Sequence, residues 1–345
     1  MEIITGSSKN LEIMIRFLAG NSGVVRFDRY MQEHLYGQDG YYIKNARIGS
    51  GDFGTESFRS AFAHLVFLDL QQQGLDGKDF LELGGGTGVF KGNYLRHSPK
   101  TNYISADISE KFASMQAQVN GNAIISDAAA LGLQSGSIDG IIFSNELIDA
   151  LPCRVFRLTR ENGRIRINEE AYIRTNGDAL SFEFADAERD DFLETYEMFL
   201  NQGAHTVHDG DVISVAPKSI DVIREAMRVL KSGKIIFIDY GFGQRIGCEK
   251  TSQELPHIMK RDDYDDSSEI DKILANPYST DINHSVDFEF LKWVAGQVSH
   301  GTKADYRPQV TLLSVLPEYY NQEQIPKPYD HFDRISCFLV LEISK

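Results

Sequence analysis

The sequence predicts an α/β protein with a Rossmann-like, largely parallel sheet, and three observations support this. From residue 79 onward, short apolar runs alternate with segments of helical spacing, as in sheets covered by helices. A glycine-rich turn at 84–88 follows the first run, and acids end the next two runs, at Asp107 and Asp127. Because ligands bind at the carboxyl ends of such strands, these features together predict a ligand site at one edge of the sheet.

Residues 1–75 form a predicted N-terminal helical cap. Apolar residues recur with helical spacing at 9–20, 27–36 and 58–73. A polar, glycine-broken loop at 48–57 precedes the last of these helices. Such a loop can present amides and hydroxyls to a ligand, although a solvated connector has the same composition.

Residues 76–345 form the second predicted domain. Its strands are expected at 79–83, 102–106, 123–126, 138–144, 234–241, 309–315 and 335–343. Its helices are expected at 89–96, 216–230 and 289–298. We read the polar stretch at about 244–280 as an exposed, lid-like arm.

An insertion at about 153–208 interrupts the alternation. Two Asn-Gly dipeptides, at Asn162-Gly163 and Asn176-Gly177, predict antiparallel hairpins. Arginines of the insertion would form either a basic patch or, as their alternation favours, the solvent face of the hairpin. These arginines are Arg154, Arg157, Arg160, Arg164 and Arg166.

The turn Glu82-Leu83-Gly84-Gly85-Gly86-Thr87-Gly88 carries the strongest chemical signal. A dinucleotide fingerprint would need its third glycine at position 89, where Val stands, and a P-loop would end in Gly-Lys-Ser/Thr. The pattern that remains, Glu-x-Gly-x-Gly-x-Gly, resembles the turn that class I methyltransferases place under the methionine part of S-adenosylmethionine (SAM). An ordinary strand-to-helix turn can have the same glycines, so the neighbouring residues must distinguish a cofactor-binding turn from an ordinary one.

Residues at the ends of the second and third predicted strands suit the rest of that cofactor. Asp107 follows Gly88 by 19 positions (107 − 88), where a ribose needs acceptors for its hydroxyls. The alternative role for Asp107 is to cap the next helix. We assign the adjacent Ile108 to the same site, and we expect Asp127 and Ala128 beside the adenine ring.

The polar run after the fourth predicted strand is where acid–base residues belong. Asn145 is assigned to the cofactor site, and Glu146 and Asp149 are the first catalytic candidates. A carboxylate there could orient the N–H groups of an amine or guanidine and remove a proton. His284 is a further catalytic candidate. Structural alternatives remain, since Asp149 could cap the turn ending in Pro152 and His284 could be a hydrogen-bonded residue at a helix start.

Composition limits the partners. Lys and Arg number 35 against 50 Asp and Glu, a net charge of −15, which disfavours binding to nucleic acid. Cys153, Cys248 and Cys337 form no CxxC pair and are typical of free thiols in a reducing compartment. No apolar run is long enough to span a membrane, and no metal site is predicted. We expect a cytoplasmic protein, with mitochondria as the lesser alternative.

Several stretches together resemble the MidA-like class I methyltransferases, whose mitochondrial member is a complex I assembly factor that methylates an arginine. They are Gly40-Tyr41-Tyr42, Gly51-Asp52-Phe53-Gly54-Thr55, Glu82–Gly88, Ser144–Pro152, Ile238-Asp239-Tyr240-Gly241 and Asp281–Phe288. The resemblance implies a seven-stranded class I fold, SAM as methyl donor, and a substrate cleft formed by the insertion and the N-terminal helices. The implied cofactor residues are Gly51, Asp52, Phe53, Thr55, Glu82, Gly84, Gly86 and Gly88.

The match has departures that concern the acceptor. Relatives tend to have a proline inside the glycine turn and a more basic tract at 257–266, and Ser285 replaces their usual residue. The sequence therefore predicts a SAM-dependent methyltransferase acting on a nitrogen acceptor, with a protein arginine implied by the resemblance. A small-molecule N- or O-methyltransferase and a non-catalytic SAM-binding assembly factor are the alternatives. The methyl acceptor is the one partner predicted, and a homodimer is left open.

Overall fold

Helices and strands alternate through most of the computed structural model, which describes residues 7–46, 55–203, 207–243, 269–299, 301–316, 327 and 338–345. The helices are α1 Ser7–Gly20, α2 Phe27–Tyr36, α3 Ser60–Gln72, α4 Val89–His97, α5 Glu110–Asn120, α6 Asp191–Leu200, α7 Lys218–Val229, α8 Glu269–Ala275 and α9 Phe288–Val298. The strands are β1 Val24–Arg26, β2 Asp79–Leu83, β3 Tyr103–Asp107, β4 Ala123–Ile125, β5 Ile138–Asn145, β6 Arg154–Glu161, β7 Arg164–Thr175, β8 Leu180–Asp186, β9 Val212–Val215, β10 Leu230–Phe242, β11 Val286–Asp287, β12 Lys303–Pro308 and β13 Phe338–Ser344.

The chain divides into two compact units. The first comprises Met1–Phe53, Asp149–Pro217 and Glu249–Val286, and the second comprises Gly54–Ile148, Lys218–Cys248 and Asp287–Lys345. None of the helices in the described part of the chain is both long and apolar enough to cross a membrane.

The second unit contains a mixed sheet with the strand order β12-β13-β10-β5-β2-β3-β4, and the two-residue β11 pairs beside β10. Neighbours from β10 to β4 run parallel, whereas β13 is antiparallel to both β10 and β12. The chain passes from β2 outward to β4 and then returns to β5 on the other side of β2. This reversal creates a switch point at the carboxyl ends of β2 and β5, the usual ligand position in such sheets.

An aromatic cluster fills the core of the second unit. Phe80 on β2 stacks on Tyr103 with ring centroids 4.5 Å apart, and Phe90 stacks on Phe143 at 4.7 Å. Helix α3 contributes Phe62 to the same buried cluster. Since α3 packs into this core, it belongs to the sheet unit and not with the more N-terminal helices with which the sequence grouped it.

The first unit is built on an antiparallel sheet with the order β1-β7-β6-β9. Strand β8 pairs with 169–175 of β7, which overlaps the stretches of β7 that pair with β6 and with β1. Because a strand has two edges, β6 and β1 share one edge of β7 and β8 takes the other. The hairpins at Asn162-Gly163 and at 176–177 are where the sequence predicted them.

Three sequence expectations were wrong in detail. Residues 309–315 form a 3-10 helix, because Pro308 ends β12 and lacks the N–H that a ladder needs. Residues 269–275 of the expected arm form α8, and most of that arm lies outside the described residues. Arg154 does not face solvent. It is 1% exposed and pairs with Glu170 and Asp190, so burial with two acids overrides the alternation.

Candidate cofactor and active site

The glycine turn that follows β2 requires its glycines. Gly84, Gly86 and Gly88 have φ values of +66°, +51° and +78°, the left-handed region that side chains with a Cβ rarely adopt. A Cβ on Gly84 would also approach Leu147 Cδ1 to 2.9 Å, and one on Gly85 would approach Glu82 Oε2 to 2.7 Å. The turn therefore presents bare backbone, which a ligand can approach closely.

Asp107, at the end of β3, is tied to this turn. Its Oδ2 accepts hydrogen bonds from Gly86 N at 3.2 Å and from Gln116 Nε2 at 3.0 Å, while its Oδ1 accepts from Ser109 N at 2.9 Å. Burial raises the pKa of Asp107 to about 6, although these three hydrogen bonds oppose the rise. The contact with Ser109 matches the capping alternative, and the two other contacts join the carboxylate to the glycine turn.

Gln116 contacts both the glycine turn and Asp107, and the sequence reasoning missed it. It is fully buried on α5, and its Nε2 also donates to Gly86 O at 2.8 Å. A helical spacing of four from the buried Phe112 was the available signal, since it places residue 116 on the inner face of the helix. A buried glutamine on that face has to find polar partners.

Two further buried ionisable residues, Glu82 and Lys91, lie on β2 and α4, the elements before and after the turn. Burial raises the pKa of Glu82 to about 7, while the Tyr103 hydroxyl and the Lys91 ammonium oppose the rise. Lys91 on α4 is fully buried, donates to Asn122 O at 2.7 Å and to Ser105 Oγ at 3.0 Å, and has its pKa lowered by burial to about 8. Sequence reasoning selected Glu82 but not Lys91, because a lysine in a short helix is normally exposed.

Ile108 and the two predicted adenine residues, Asp127 and Ala128, follow the ends of β3 and β4. Ile108 is 39% exposed and offers an apolar surface next to Asp107. Asp127 accepts a hydrogen bond from Ala129 N at 2.9 Å through Oδ1, and its Oδ2 is paired with Lys218. Ala128 is half-buried. The ion pair with Lys218 was not predicted.

Glu146, just beyond β5, has an unusual backbone and fixed partners. Its φ is +52°, a strained conformation that clusters at functional sites. Its Oε1 accepts from Thr55 Oγ1 at 2.6 Å and from Asn145 Nδ2 at 3.0 Å, and Asn145 Nδ2 also donates to Thr55 Oγ1 at 3.1 Å. Three residues that the sequence selected separately are thus brought together in the second unit.

Buried Asp239, at the carboxyl end of β10, supports the segment that carries Glu146. Its Oδ2 accepts from Ile148 N at 3.0 Å, and Glu146 N donates to Ile238 O at 2.9 Å. The neighbouring strand therefore holds the peptide groups on both sides of Leu147.

Asp149 and His284 lie in the first unit, and both are buried. His284 N donates to Asp149 O at 3.0 Å, and His284 Nδ1 lies 3.1 Å from Ser285 O. Because a carbonyl oxygen only accepts, Nδ1 carries the proton in this contact. The start of α9 is capped by Asp287, whose Oδ1 accepts from Phe290 N at 2.9 Å, so His284 is not the capping residue.

A buried polar cluster surrounds Tyr42 in the first unit. Tyr42 Oη donates to Asp281 Oδ1 at 2.7 Å, and the Tyr42 ring stacks on Tyr36 with centroids 5.6 Å apart. Burial raises the pKa of Tyr42 well above its usual value, and the nearby charges of Asp281 and Asp149 add to the rise. Sequence reasoning quoted Gly40-Tyr41-Tyr42 and Asp281 only for the resemblance and gave them no role.

Gly51, Asp52 and Phe53, which the resemblance implied as cofactor residues, lie outside the described residues.

Comparison with known proteins assigns this chain to a family. A family model described as "Putative S-adenosyl-L-methionine-dependent methyltransferase" matches residues 62–306. Among solved structures, the chain is similar to a "likely methyl transferase" of Burkholderia thailandensis bound to S-adenosyl-homocysteine, with a TM-score of 0.73 and 19% identity over 100% of this chain and 95% of that chain. A native structure of an uncharacterized protein of the same superfamily and organism gives a TM-score of 0.69 and 19% identity, with the same coverage. The comparison with curated proteins found no match.

The structural likeness confirms the predicted class I methyltransferase-like α/β fold, and the observed sheet is mixed. The residues present fit S-adenosylmethionine as cofactor: the turn offers bare backbone, and a carboxylate and an exposed apolar side chain follow at the end of the next strand. Because the family model covers well over half of the chain, this protein belongs to the family of S-adenosyl-L-methionine-dependent methyltransferases that the model describes.

Proposed function

We propose that this methyltransferase transfers its methyl group to a nitrogen atom, with Glu146 as the residue that orients the acceptor. The observation that carries the proposal is the fixed carboxylate of Glu146, held by Thr55 and Asn145 at the switch point of the sheet. A strained backbone that persists at such a position is held there by its surroundings. Pre-positioned carboxylates of this kind suit acceptors that carry N–H groups.

The cofactor in this proposal lies along the carboxyl ends of β2, β3 and β4. Its methionine part rests on the turn at 84–88, its ribose is bound by Asp107, and its adenine lies beside Ile108 and Asp127. When bound, S-adenosylmethionine supplies an already activated methyl group, so most of the protein's work is positioning.

Glu146 would act on the acceptor in two ways. Its carboxylate accepts a hydrogen bond from an N–H group of the amine or guanidine, which orients the nitrogen toward the methyl donor. The same carboxylate stabilises the positive charge that develops on that nitrogen. Thr55 and Asn145 hold the carboxylate in place, so little reorganisation accompanies the reaction. Asp149 and His284 are proposed as additional acid–base residues.

A protein arginine is the proposed acceptor, in line with the resemblance to the MidA-like family. The net charge of −15 supports a cationic acceptor, because an acidic surface raises the local concentration of cations. A small-molecule amine has the same local chemistry, and the size of the labelled product separates the two acceptors.

The test incubates the protein with radiolabelled S-adenosylmethionine in two separate reactions. One contains the desalted, macromolecular fraction of a cell extract, and the other contains its small-molecule fraction. Label in macromolecules that survives mild base and is recovered as methylarginine after hydrolysis supports the proposal. Label released by mild base marks a carboxyl ester and overturns the nitrogen assignment. Label confined to the small-molecule fraction overturns the protein acceptor.

A further inference from the structure

We propose that Gln116 is a positioning residue for the cofactor, which fixes Asp107 so that one carboxylate oxygen, Oδ1, receives a single ribose hydroxyl. This inference rests on the proposed ribose role of Asp107 and is independent of the identity of the acceptor.

The hydrogen bonds around Gln116 form a closed ring. Gln116 Nε2 donates to Gly86 O at 2.8 Å and to Asp107 Oδ2 at 3.0 Å, and Gly86 N donates to the same Oδ2 at 3.2 Å. The two N–H groups of the amide are thereby used, and both polar atoms of residue 86 are engaged. These hydrogen bonds lock the glycine turn and the carboxylate together.

The orientation of the amide is determined by its neighbours. A flipped amide would place Oε1 against Gly86 O and Asp107 Oδ2, which are both acceptors. In the observed orientation Oε1 has no hydrogen-bond partner among the residues that the structure describes. The amide thus leaves its oxygen without a hydrogen bond from any described residue and directs both N–H groups to Gly86 O and Asp107 Oδ2. These two contacts are therefore the ones that the site favours.

Packing holds the side chain in this position. A Cβ on Gly88 would approach Gln116 Cα to 3.1 Å, and a Cβ on Gly85 would approach Gln116 Cδ to the same distance. Two glycines of the turn therefore lie directly against Gln116, at its backbone and at its amide. An apolar residue of similar length could fill the space, but it could not make the ring.

The ring gives the two carboxylate oxygens of Asp107 different hydrogen-bond partners. An ionised carboxylate offers about two acceptor positions on each oxygen. Oδ2 accepts from Gly86 N and Gln116 Nε2, whereas the described contact of Oδ1 is with Ser109 N. A ribose hydroxyl can therefore be accepted at Oδ1, and a second one at Oδ2 would compete with the ring.

The ring also supports the charged form of Asp107. The groups facing this carboxylate are the amides of Gly86 and Ser109, the Gln116 side chain and, as a nearby like charge, Glu82, which itself faces Lys91. Burial raises the pKa of Asp107 to about 6, and the Gln116 hydrogen bond opposes this rise. Without that donor the pKa is expected to be higher, so the ionised form is lost at a higher pH.

The first experiment measures S-adenosylhomocysteine binding calorimetrically between pH 5 and 8 for the full chain, Gln116→Met and Asp107→Asn. The matched control is Gln118→Met, an exposed glutamine on the same helix. We expect Gln116→Met to bind at least about tenfold more weakly at pH 7.5, as expected for one hydrogen bond to a charged group. We also expect the acidic limb of its binding curve to move to higher pH, while Gln118→Met matches the unmodified protein.

A merely structural role gives a different result. In that case Gln116→Met melts at a lower temperature, but the folded protein binds with an unchanged acidic limb, which overturns the inference. If Asp107→Asn binds as tightly as the unmodified protein, the ribose role of Asp107 fails, and this inference fails with it. Loss of binding in Asp107→Asn together with unchanged binding in Gln116→Met overturns this inference alone.

The second experiment compares the 2′-deoxy and 3′-deoxy analogues of S-adenosylhomocysteine. With one hydroxyl accepted at Oδ1, removal of that hydroxyl should weaken binding clearly more than removal of the other. This inequality should shrink in Gln116→Met, because Oδ2 is then released. Equal losses for the two analogues in the unmodified protein would contradict the single-hydroxyl assignment.

Discussion

Thr55 Oγ1 donates a 2.6 Å hydrogen bond to Glu146 Oε1, although 91 positions separate the two residues in the chain. The contact joins the segment before α3 to the end of β5. With Asn145 it makes a three-residue group in which a hydroxyl and an amide aim one carboxylate.

Glu146→Gln should lower the rate of methyl transfer by about 10²-fold, the lower end of what a positioned acid–base group contributes. Its amide keeps the size of the side chain but lacks the charge that stabilises a cationic nitrogen. Affinity for S-adenosylhomocysteine should change little, since Glu146 is assigned to the acceptor. Single-turnover rates and calorimetric affinities test both statements. Thr55→Val is the companion variant and should lower the rate less, because the charge remains. An unchanged rate in Glu146→Gln would show that the carboxylate has no part in the reaction.

Gly84→Ala should abolish cofactor binding and destabilise the protein, whereas Gly74→Ala should only destabilise it. Both glycines have left-handed φ values, +66° and +70°, so both variants carry a backbone cost of about 1–2 kcal/mol. Only at Gly84 does the added Cβ meet another atom, Leu147 Cδ1 at 2.9 Å, while Gly74 has open space. Urea unfolding and S-adenosylhomocysteine titration of the two variants separate backbone strain from contact in the turn. If both variants bind S-adenosylhomocysteine equally well, the cofactor does not need to approach the backbone of Gly84 closely.

The stability of the ligand-free protein should depend on Glu82. Because its pKa is raised to about 7 from 4.5, the folded state binds the proton more tightly than the unfolded state. The corresponding stabilisation is present below pH 4.5 and is lost as the pH rises through about 7. At 1.36 kcal/mol for each pH unit, the interval between these two pKa values corresponds to roughly 3 kcal/mol.

The measurement is the free energy of unfolding from pH 4.5 to 7.5 for the unmodified protein and Glu82→Gln, whose difference cancels other titrating groups. Relative to Glu82→Gln, the unmodified protein should lose stability as the pH rises over this interval. A difference that stays constant with pH would mean that Glu82 has an ordinary pKa.

Arg154→Met should destabilise the first unit by about 3 kcal/mol, the lower end for a broken buried pair, because the buried Glu170 carboxylate then keeps only Arg26, whose Nε lies 3.7 Å away. Arg154 also donates to Asp190 Oδ1 at 2.8 Å, so a second acid loses a partner. The matched control is Arg174→Met, whose pair with Glu183 is exposed and is worth about 1 kcal/mol or less. Denaturant unfolding monitored in the first unit tests the contrast. Similar decreases in the free energy of unfolding for both variants would mean that burial does not increase the contribution of the Arg154 ion pairs to stability.

Local patterns accounted for most of the fold. The strand β2 was predicted at its observed bounds, and the strands from β3 to β5 within about two residues, because apolar runs bounded by turn residues are local signals. The failures came where tertiary context decides. Pro308 sits at the end of an edge strand, so 309–315 could not continue it, and the arginine at 154 is buried by acids that lie 16 and 36 positions away.

The sequence by itself determined the α/β class, the glycine turn and the acids at the strand ends, because each depends on residues adjacent in the chain. Only the tertiary structure decided which side chains complete the site. Gln116 reaches Gly86 across 30 positions, and Thr55 reaches Glu146 across 91. Such partners are selected by the packing of α5 against the turn and of 55–58 against the end of β5. Hydrogen-bond partners so far apart leave no periodic signal, since their pairing depends on where the folded chain brings them.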